Sequence, residues 1–172
     1  IRNVRANATR VPRFGLFELT LELPDRYVNP FQTNEVRLIA EVIGPDGRTN
    51  SVPGFYAQEY VRSLHSTLET ITPQGTPGWR VRFSPRALGS YRYTLRVRDP
   101  HGEATWGPAE FTAVPSASHG FVRVSKADSR FFEFEDGTFF HPLGHNIRSP
   151  SDARYQMHFP LAPRMPEGSA IY

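Results

Sequence analysis

The sequence predicts an all-β fold, an immunoglobulin-like antiparallel β-sandwich of about seven to nine strands. The first observation is alternation: in many short segments apolar and polar residues follow one another with a period of two. That period gives a strand one buried and one solvated face. The second observation is that 16 prolines and 13 glycines divide the 172 residues into short segments. No segment of a dozen residues shows the period of a helix, and short strands separated by turns are typical of sandwiches.

The predicted strands follow one another along the chain. The clearest alternation lies at residues 17–23, 36–42, 79–83 and 91–97, and weaker signals lie at 52–62, 69–72, 109–114, 121–125, 131–135 and 138–143. In the first segment Phe17 and Leu19 alternate with Glu18 and Thr20. Turns are predicted at residues 45–47 and 99–102, because Pro, Asp and Gly adopt the backbone conformations that turns require.

Four parts of the chain are expected. Residues 1–12 form an N-terminal extension, 13–116 the β-sandwich, 117–138 a linker hairpin, and 139–172 a separate C-terminal part. The linker begins with small polar residues, and Asp136-Gly137 between aromatic flanks is a hairpin-turn signal. From Ser149 onward prolines recur without periodicity, which indicates irregular structure.

Composition argues against several functions. Cysteine is absent, which rules out thiol catalysis and cysteine-based zinc sites. No apolar run approaches the ~18 residues of a membrane span. Of the 20 basic residues only Lys126 is lysine, and the arginines alternate with apolar residues and with 17 acids instead of forming blocks. We therefore expect no membrane and no nucleic-acid partner.

Neither a metal nor another cofactor is predicted. His141 and His145 have a spacing that would suit a helix, but Pro142 and Gly144 lie between them, and on a strand such a pair is about 13 Å apart. Glu133, Glu135 and Asp136 form a carboxylate cluster that we interpret as a solvated hairpin edge. The chain begins with Ile1, so either a leader has been removed or the sequence starts inside a longer product. The expected location is secreted or periplasmic.

Nine stretches, taken in order, resemble one family. They resemble the immunoglobulin-like N-terminal domain, a domain of unknown function, of bacterial clan A glycoside hydrolases. The stretches are residues 17–21, 29–31, 35–36, 45–47, 52–56, 79–85, 89–93, 120–125 and 132–137.

The resemblance implies that residues 139–146 are the first strand of a (β/α)8 barrel and that 147–155 are the loop after it, so the chain would hold only a truncated start of the barrel. A retaining glycosidase needs two carboxyl groups about 5 Å apart, and clan A enzymes place them on barrel strands four and seven. The chain therefore lacks the catalytic pair and is predicted to be inactive, whereas the parent protein is expected to be a retaining hydrolase. The implied function is a non-catalytic accessory domain that packs against and supports the catalytic barrel of the same polypeptide.

Two sets of residues are candidates for binding. In the full-length enzyme, His145, Asn146 and Arg148 would lie at the mouth of the substrate cleft, although Asn146 and Arg148 also suit a strand cap and a solvated loop.

The alternative function is an independent carbohydrate-binding module that recognises a polysaccharide. Its candidate residues are Trp106, Phe55, Tyr56 and Tyr60, because an aromatic face stacks on the apolar face of a pyranose, but the same rings would also suit an interdomain contact. Trp79 lies in the apolar phase of its strand and is predicted to be core. Without a barrel, Phe139, Phe140 and Leu143 are expected to pack on the sandwich or on a neighbouring molecule.

Overall fold

The structure is a computed structural model that describes residues 1–23, 27–65 and 68–144, and all its regular elements are strands. The prediction of an all-β fold is confirmed for these residues. The strands are β1 (Arg2–Ala6), β2 (Arg10–Pro12), β3 (Phe17–Glu22), β4 (Arg37–Ile43), β5 (Thr49–Pro53), β6 (Phe55–His65), β7 (Leu68–Phe83), β8 (Gly89–Asp99), β9 (Gly102–Val114), β10 (Val122–Val124), β11 (Phe132–Phe134) and β12 (Phe139–Phe140).

The strands form two larger sheets and one small sheet. The four-stranded sheet has the order β1-β3-β7-β6, and the five-stranded sheet has the order β2-β9-β8-β4-β5. The pairings of β3 with β7 and of β8 with β4 and β9 are antiparallel. The pairing of β2 with β9 is parallel.

The burial pattern of the strands agrees with the alternation of apolar and polar residues in the sequence. In β3, Phe17, Leu19 and Leu21 are buried, while Thr20 and Glu22 are exposed. In β8 the residues Tyr91, Tyr93, Leu95 and Val97 are buried in the same way. One face of each sheet is therefore apolar, and burying these faces is the main source of favourable free energy.

Apolar side chains from both sheets share one hydrophobic core. The ring of Phe111 from β9 stacks on the ring of Phe17 from β3 with centroids 3.9 Å apart, and it stacks on Tyr91 from β8 at 5.0 Å. The Tyr91 hydroxyl donates to the carbonyl of Ala87 at 3.0 Å and accepts from the backbone N–H of the same residue at 2.9 Å. This core ring is thereby fixed to the turn that precedes its own strand.

The N-terminal residues, expected to be an extension, supply two strands of the sheets. β1 pairs with β3, and β2 pairs with β9 and buries Val11. Likewise, the separate strands predicted at 69–72 and 79–83 are parts of one strand, β7. Pro73 and Pro77 lie within β7, which pairs with β3 only from Trp79 to Phe83. The prolines lie beyond that ladder, where a missing N–H removes no bond to β3.

The three-stranded linker sheet has the order β10-β11-β12. Gly137 has φ of 89° in the turn between β11 and β12, which agrees with the predicted Asp136-Gly137 turn. Phe139 and Phe140 pair with Glu133 and Phe132 of β11. They form a short third strand of this sheet, and residues 145–172, which would contain most of the expected barrel segment, lie outside the described residues.

Packing of Phe139 and Leu143 on a neighbouring molecule stays a prediction, because both side chains are exposed in the single chain. Phe139 is 60% exposed and Leu143 is 87% exposed, while Phe140 is half-buried and packs edge-on against Phe134.

The chain divides into two compact units, whose described residues are 1–23, 27–58 and 76–140 in the first and 59–65, 68–75 and 141–144 in the second. In the first unit, we call residues 1–58 and 76–116 the two-sheet body. In the second unit, the described residues include the distal part of the β6–β7 hairpin, where the Ser63 and Thr70 hydroxyls lie 2.6 Å apart. The described part of the chain contains no helix long and apolar enough to cross a membrane.

Phe111→Ala is expected to lower the free energy of unfolding by about 3–5 kcal/mol, because it removes the ring that contacts both sheets and leaves a cavity. Since domains of this size have about 5–15 kcal/mol in total, the loss should be plain in a urea titration followed by tryptophan fluorescence. Phe31→Ala is the matched control, because the Phe31 ring is 74% exposed. Equal losses for the two variants would contradict the assignment of Phe111 as the link between the sheets.

Candidate functional site

A cleft of about 480 Å³ opens in the two-sheet body. It is bounded by the loop before β4, the first residues of β4, and the corner between β5 and β6. Its lining residues are Pro30, Phe31, Thr33, Val36, Arg37, Leu38, Ile39, Pro53, Gly54, Phe55, Tyr56 and Trp79. We call it the aromatic cleft.

Three rings give the cleft its shape. Trp79 is only 6% exposed and belongs to the core, as the sequence predicted. Tyr56 is half-buried and meets Trp79 with centroids 5.5 Å apart, and Phe31 meets Tyr56 edge-on at 5.9 Å. The rings therefore run from a buried floor at Trp79 to an exposed rim at Phe31.

Local hydrogen bonds hold the loop that carries Phe31. The Asn29 side chain accepts from the Phe31 N–H at 3.1 Å, which is an Asx-turn, and the Glu35 carboxylate accepts from the Asn29 N–H at 3.1 Å. At the start of the loop Tyr27 packs edge-on against Trp79 at 6.0 Å. Its hydroxyl donates to Asp99 at 2.8 Å, and this bond is the main reason why the pKa of Asp99 is lowered.

Gly54 forms the wall of the cleft where the chain passes from one sheet to the other. It follows β5 of the five-stranded sheet and precedes β6 of the four-stranded sheet, and its N–H donates to the Leu38 carbonyl at 2.8 Å. A Cβ at this position would lie 2.5 Å from Cγ and 3.0 Å from Cβ of Leu38. The Leu38 side chain therefore occupies the space that a Cβ at residue 54 would need, which favours glycine here.

The charge of the cleft is positive. Arg37 is the single charged residue of the lining, and it is exposed. A second guanidinium, that of Arg82, lies 5.3 Å from the centroid of the Phe55 ring. Arg82 is already paired, because its Nε donates to Glu18 at 2.5 Å, and Glu18 also pairs with Arg80.

The candidate aromatic residues are only partly brought together. Phe55 and Tyr56 line the cleft, whereas Trp106 packs against the core and stacks on Tyr93 at 6.1 Å. Tyr60 lies in the distal hairpin and is 55% exposed. Phe31, which belongs to the cleft, was not among the candidates, because it lies in a loop without periodicity. His145, Asn146 and Arg148 lie outside the described residues.

A second surface is the apolar face of the linker sheet. Val122 lies opposite Phe134, Val124 opposite Phe132, and Phe132 opposite Phe140. Because residues opposite one another in a ladder share a face, these five apolar residues lie on one side of the sheet. Val122, Val124 and Phe132 are 43%, 54% and 44% exposed.

The other face of the linker sheet carries Glu133, whose burial shows that one interpretation from the sequence was wrong. Glu133, expected on a solvated edge, is 8% exposed. Its carboxylate accepts from the Ser125 hydroxyl at 2.7 Å and from Arg123 Nε at 3.0 Å. The hydrogen bond from Ser125 is the main cause of the lowered pKa of Glu133. A buried carboxylate needs such partners, so Glu133 is a structural residue of this sheet.

The linker sheet is attached to the two-sheet body through rings and one ion pair. Phe14 meets Phe121 edge-on at 5.8 Å, and the Arg86 guanidinium lies 4.9 Å from the centroid of the same Phe121 ring. Arg86 also pairs with Glu135 at 3.2 Å. Phe14 has φ of 66°, which is strained for a bulky residue, and its N–H donates to the Pro85 carbonyl at 2.8 Å.

The turn of the linker sheet is fixed by Asp136. Its carboxylate accepts from the Thr138 N–H at 2.9 Å and lies 2.6 Å from Nδ1 of His119. The Thr138 bond first and the His119 bond second lower the pKa of Asp136 to about 2. No group of three or more His, Asp or Glu side chains that would hold a metal ion occurs among residues 1–23, 27–65 and 68–144.

These observations define an all-β domain with two large sheets around one core and a small third sheet attached to them. Residues 10–98, about half of the chain, match the family described as a domain of unknown function, DUF5060. The chain therefore belongs to this family.

Among solved structures, the chain is similar to one described as a "putative glycoside hydrolase" from Bacteroides vulgatus, with 24% sequence identity and a TM-score of 0.54. The match covers 78% of this chain but 22% of that one, so the chain spans less than a quarter of that protein's length. At this identity the likeness shows a shared fold. No curated protein matches the chain significantly.

Gly54→Ala is expected to lower the free energy of unfolding by about 1–3 kcal/mol, because the added methyl overlaps Leu38. Gly78→Ala is the control, since its nearest heavy atom would be 4.0 Å away. In urea titrations the double variant Gly54→Ala/Leu38→Ala should lose less than the sum of the two single losses. Strict additivity would show that the Leu38 contact is not what excludes a side chain at residue 54.

Asp136→Asn is expected to destabilise the linker sheet at neutral pH but not in strong acid. The pKa of Asp136 is lower in the folded chain than its ordinary value of 3.8, so its stabilising effect is complete above that value and is lost as the pH falls through about 2. An NMR titration of the side-chain carboxyl should show the low midpoint. In His119→Gln the midpoint should rise only part of the way, because the Thr138 bond is kept; a midpoint near 3.8 in the unaltered chain would refute the assignment.

Proposed function

We propose that this domain is a non-catalytic accessory domain of a glycoside hydrolase, and that the apolar face of its linker sheet packs against the catalytic domain of the same polypeptide. The observation that carries the proposal is that face, where Val122, Val124 and Phe132 are each about half exposed on a three-stranded sheet. A cluster of this kind is usually an interaction site, since isolated exposed apolar residues are common but contiguous ones are not.

The likeness to a solved structure supports the proposal. That structure is described as a "putative glycoside hydrolase", and the match covers 22% of its chain. The rest of such a protein is long enough to hold a catalytic domain. A retaining (β/α)8 barrel of clan A remains the catalytic domain we favour, on the sequence resemblance.

An immunoglobulin-like sandwich is the architecture we propose for the two-sheet body. Two features support it: two sheets with a shared core, and the Tyr91 hydroxyl that bonds back to Ala87, four residues upstream. Such a tyrosine corner is a hallmark of these sandwiches.

The test compares two lengths of the protein. In the full-length polypeptide, Val124→Ser/Phe132→Ser should destabilise the catalytic domain by about 1.5–3 kcal/mol, because two side chains lose the burial of their exposed halves. In the 172-residue chain the same substitutions should cost little, since both side chains are already about half exposed. Differential scanning calorimetry resolves the two cases.

Leu88→Ser is the control in both lengths, because Leu88 is 47% exposed and lies in the two-sheet body. An unchanged melting temperature of the catalytic domain in the double variant would overturn the proposal. So would equal destabilisation of the two lengths.

A further inference from the structure

The aromatic cleft exposes a ring that the fold does not require. Phe31 is 74% exposed, yet its loop is held by hydrogen bonds that the Asn29 side chain and the Glu35 carboxylate accept, and the ring lies beside Tyr56. The two rings meet with an interplanar angle of 80°. A flat apolar molecule can therefore lie on one ring while its edge touches the other.

The charge of the cleft is unbalanced. Arg37 is its single charged lining residue. Across the strand pair Arg37 faces Arg98, which lies 3.7 Å from Glu103, whereas the Arg37 side chain has no ion pair or hydrogen bond with any described residue. The nearest acid in the sequence, Glu35, accepts from the Asn29 N–H. An anionic group in the cleft would therefore meet a guanidinium that has no other described partner.

We propose that the aromatic cleft binds an acidic pyranose of a polysaccharide, with the apolar ring face on Phe31 and Tyr56 and the carboxylate at Arg37. The cleft volume of about 480 Å³ lies in the range of sites that hold small ligands. A planar guanidinium binds a carboxylate through two parallel hydrogen bonds, and a pyranose offers an apolar face to an aromatic ring. This proposal does not depend on the packing of the linker sheet.

The same observations disfavour a nucleic acid. Phosphate backbones are bound by many cations along a groove, whereas this cleft holds one arginine in a mostly apolar lining. Binding of a nucleic acid is therefore included in the test as an alternative outcome.

The test is isothermal titration calorimetry of the 172-residue chain with tetragalacturonate and with its methyl ester, two ligands that differ in the charge of their carboxyl groups. A single-stranded DNA oligonucleotide of equal charge is the third ligand. We expect the acid to bind at least about ten times more tightly than the ester, because a charge-assisted hydrogen bond is lost in the ester. DNA should bind more weakly than the acid.

Three variants locate the site. Phe31→Ala should weaken both sugar ligands about tenfold, and Arg37→Gln should bind the acid and the ester alike. Arg48→Gln removes the same charge at a turn, where the side chain is 87% exposed, and should bind like the unaltered chain. Circular dichroism melts check that each variant is folded, which is expected because Phe31, Arg37 and Arg48 are all exposed.

Four results would overturn the proposal: no binding of tetragalacturonate, equal affinity for acid and ester in the unaltered chain, equal weakening by Arg37→Gln and Arg48→Gln, or tighter binding of DNA. The last two would indicate a general attraction of polyanions to the basic chain.

Discussion

The contact between Phe17 and Phe111 is the interaction on which the fold depends. These rings come from different sheets and stack with centroids 3.9 Å apart, and Tyr91 continues the stack on the other side of Phe111. Each sheet alone would expose an apolar face, so their joint burial is what makes either sheet stable. The cleft also follows from this packing, because its floor is formed by the core residues Val36, Leu38 and Trp79.

Much of the fold could be predicted because burial on one face leaves a period of two in the sequence. This holds for β3, β4 and β8, whose inward residues are apolar. It fails for β1, in which no residue is fully buried, and for β2, which has only three residues around Val11. It also fails for the length of β7, because residues 73–78, with Pro73 and Pro77, show no alternation and lie beyond the ladder with β3.

The candidate site was harder to predict because it is assembled from distant parts of the chain. Phe55 and Tyr56 were recognised as aromatic neighbours, but Phe31 lies in a loop, and only the pairing of β4 with β5 brings that loop beside them. The carboxylates of residues 133–136 show a different error, because all three were assigned to one solvated hairpin edge. They are close in sequence, yet Glu133, Glu135 and Asp136 bind Arg123, Arg86 and His119 respectively, so proximity along the chain did not indicate a shared environment.

The linker sheet shows how the domain can present a preformed apolar face. Strands of two or three residues are too short to be stable by themselves, because they bury little surface for the entropy they lose. Phe121 and Glu135 attach this sheet to Phe14 and Arg86 of the two-sheet body, and Glu133 is satisfied within it. Both anchors hold the sheet while Val124 and Phe132 stay exposed, so a partner that covers them need not first order the sheet. The positive φ of Phe14 occurs at the residue whose ring makes this contact with Phe121.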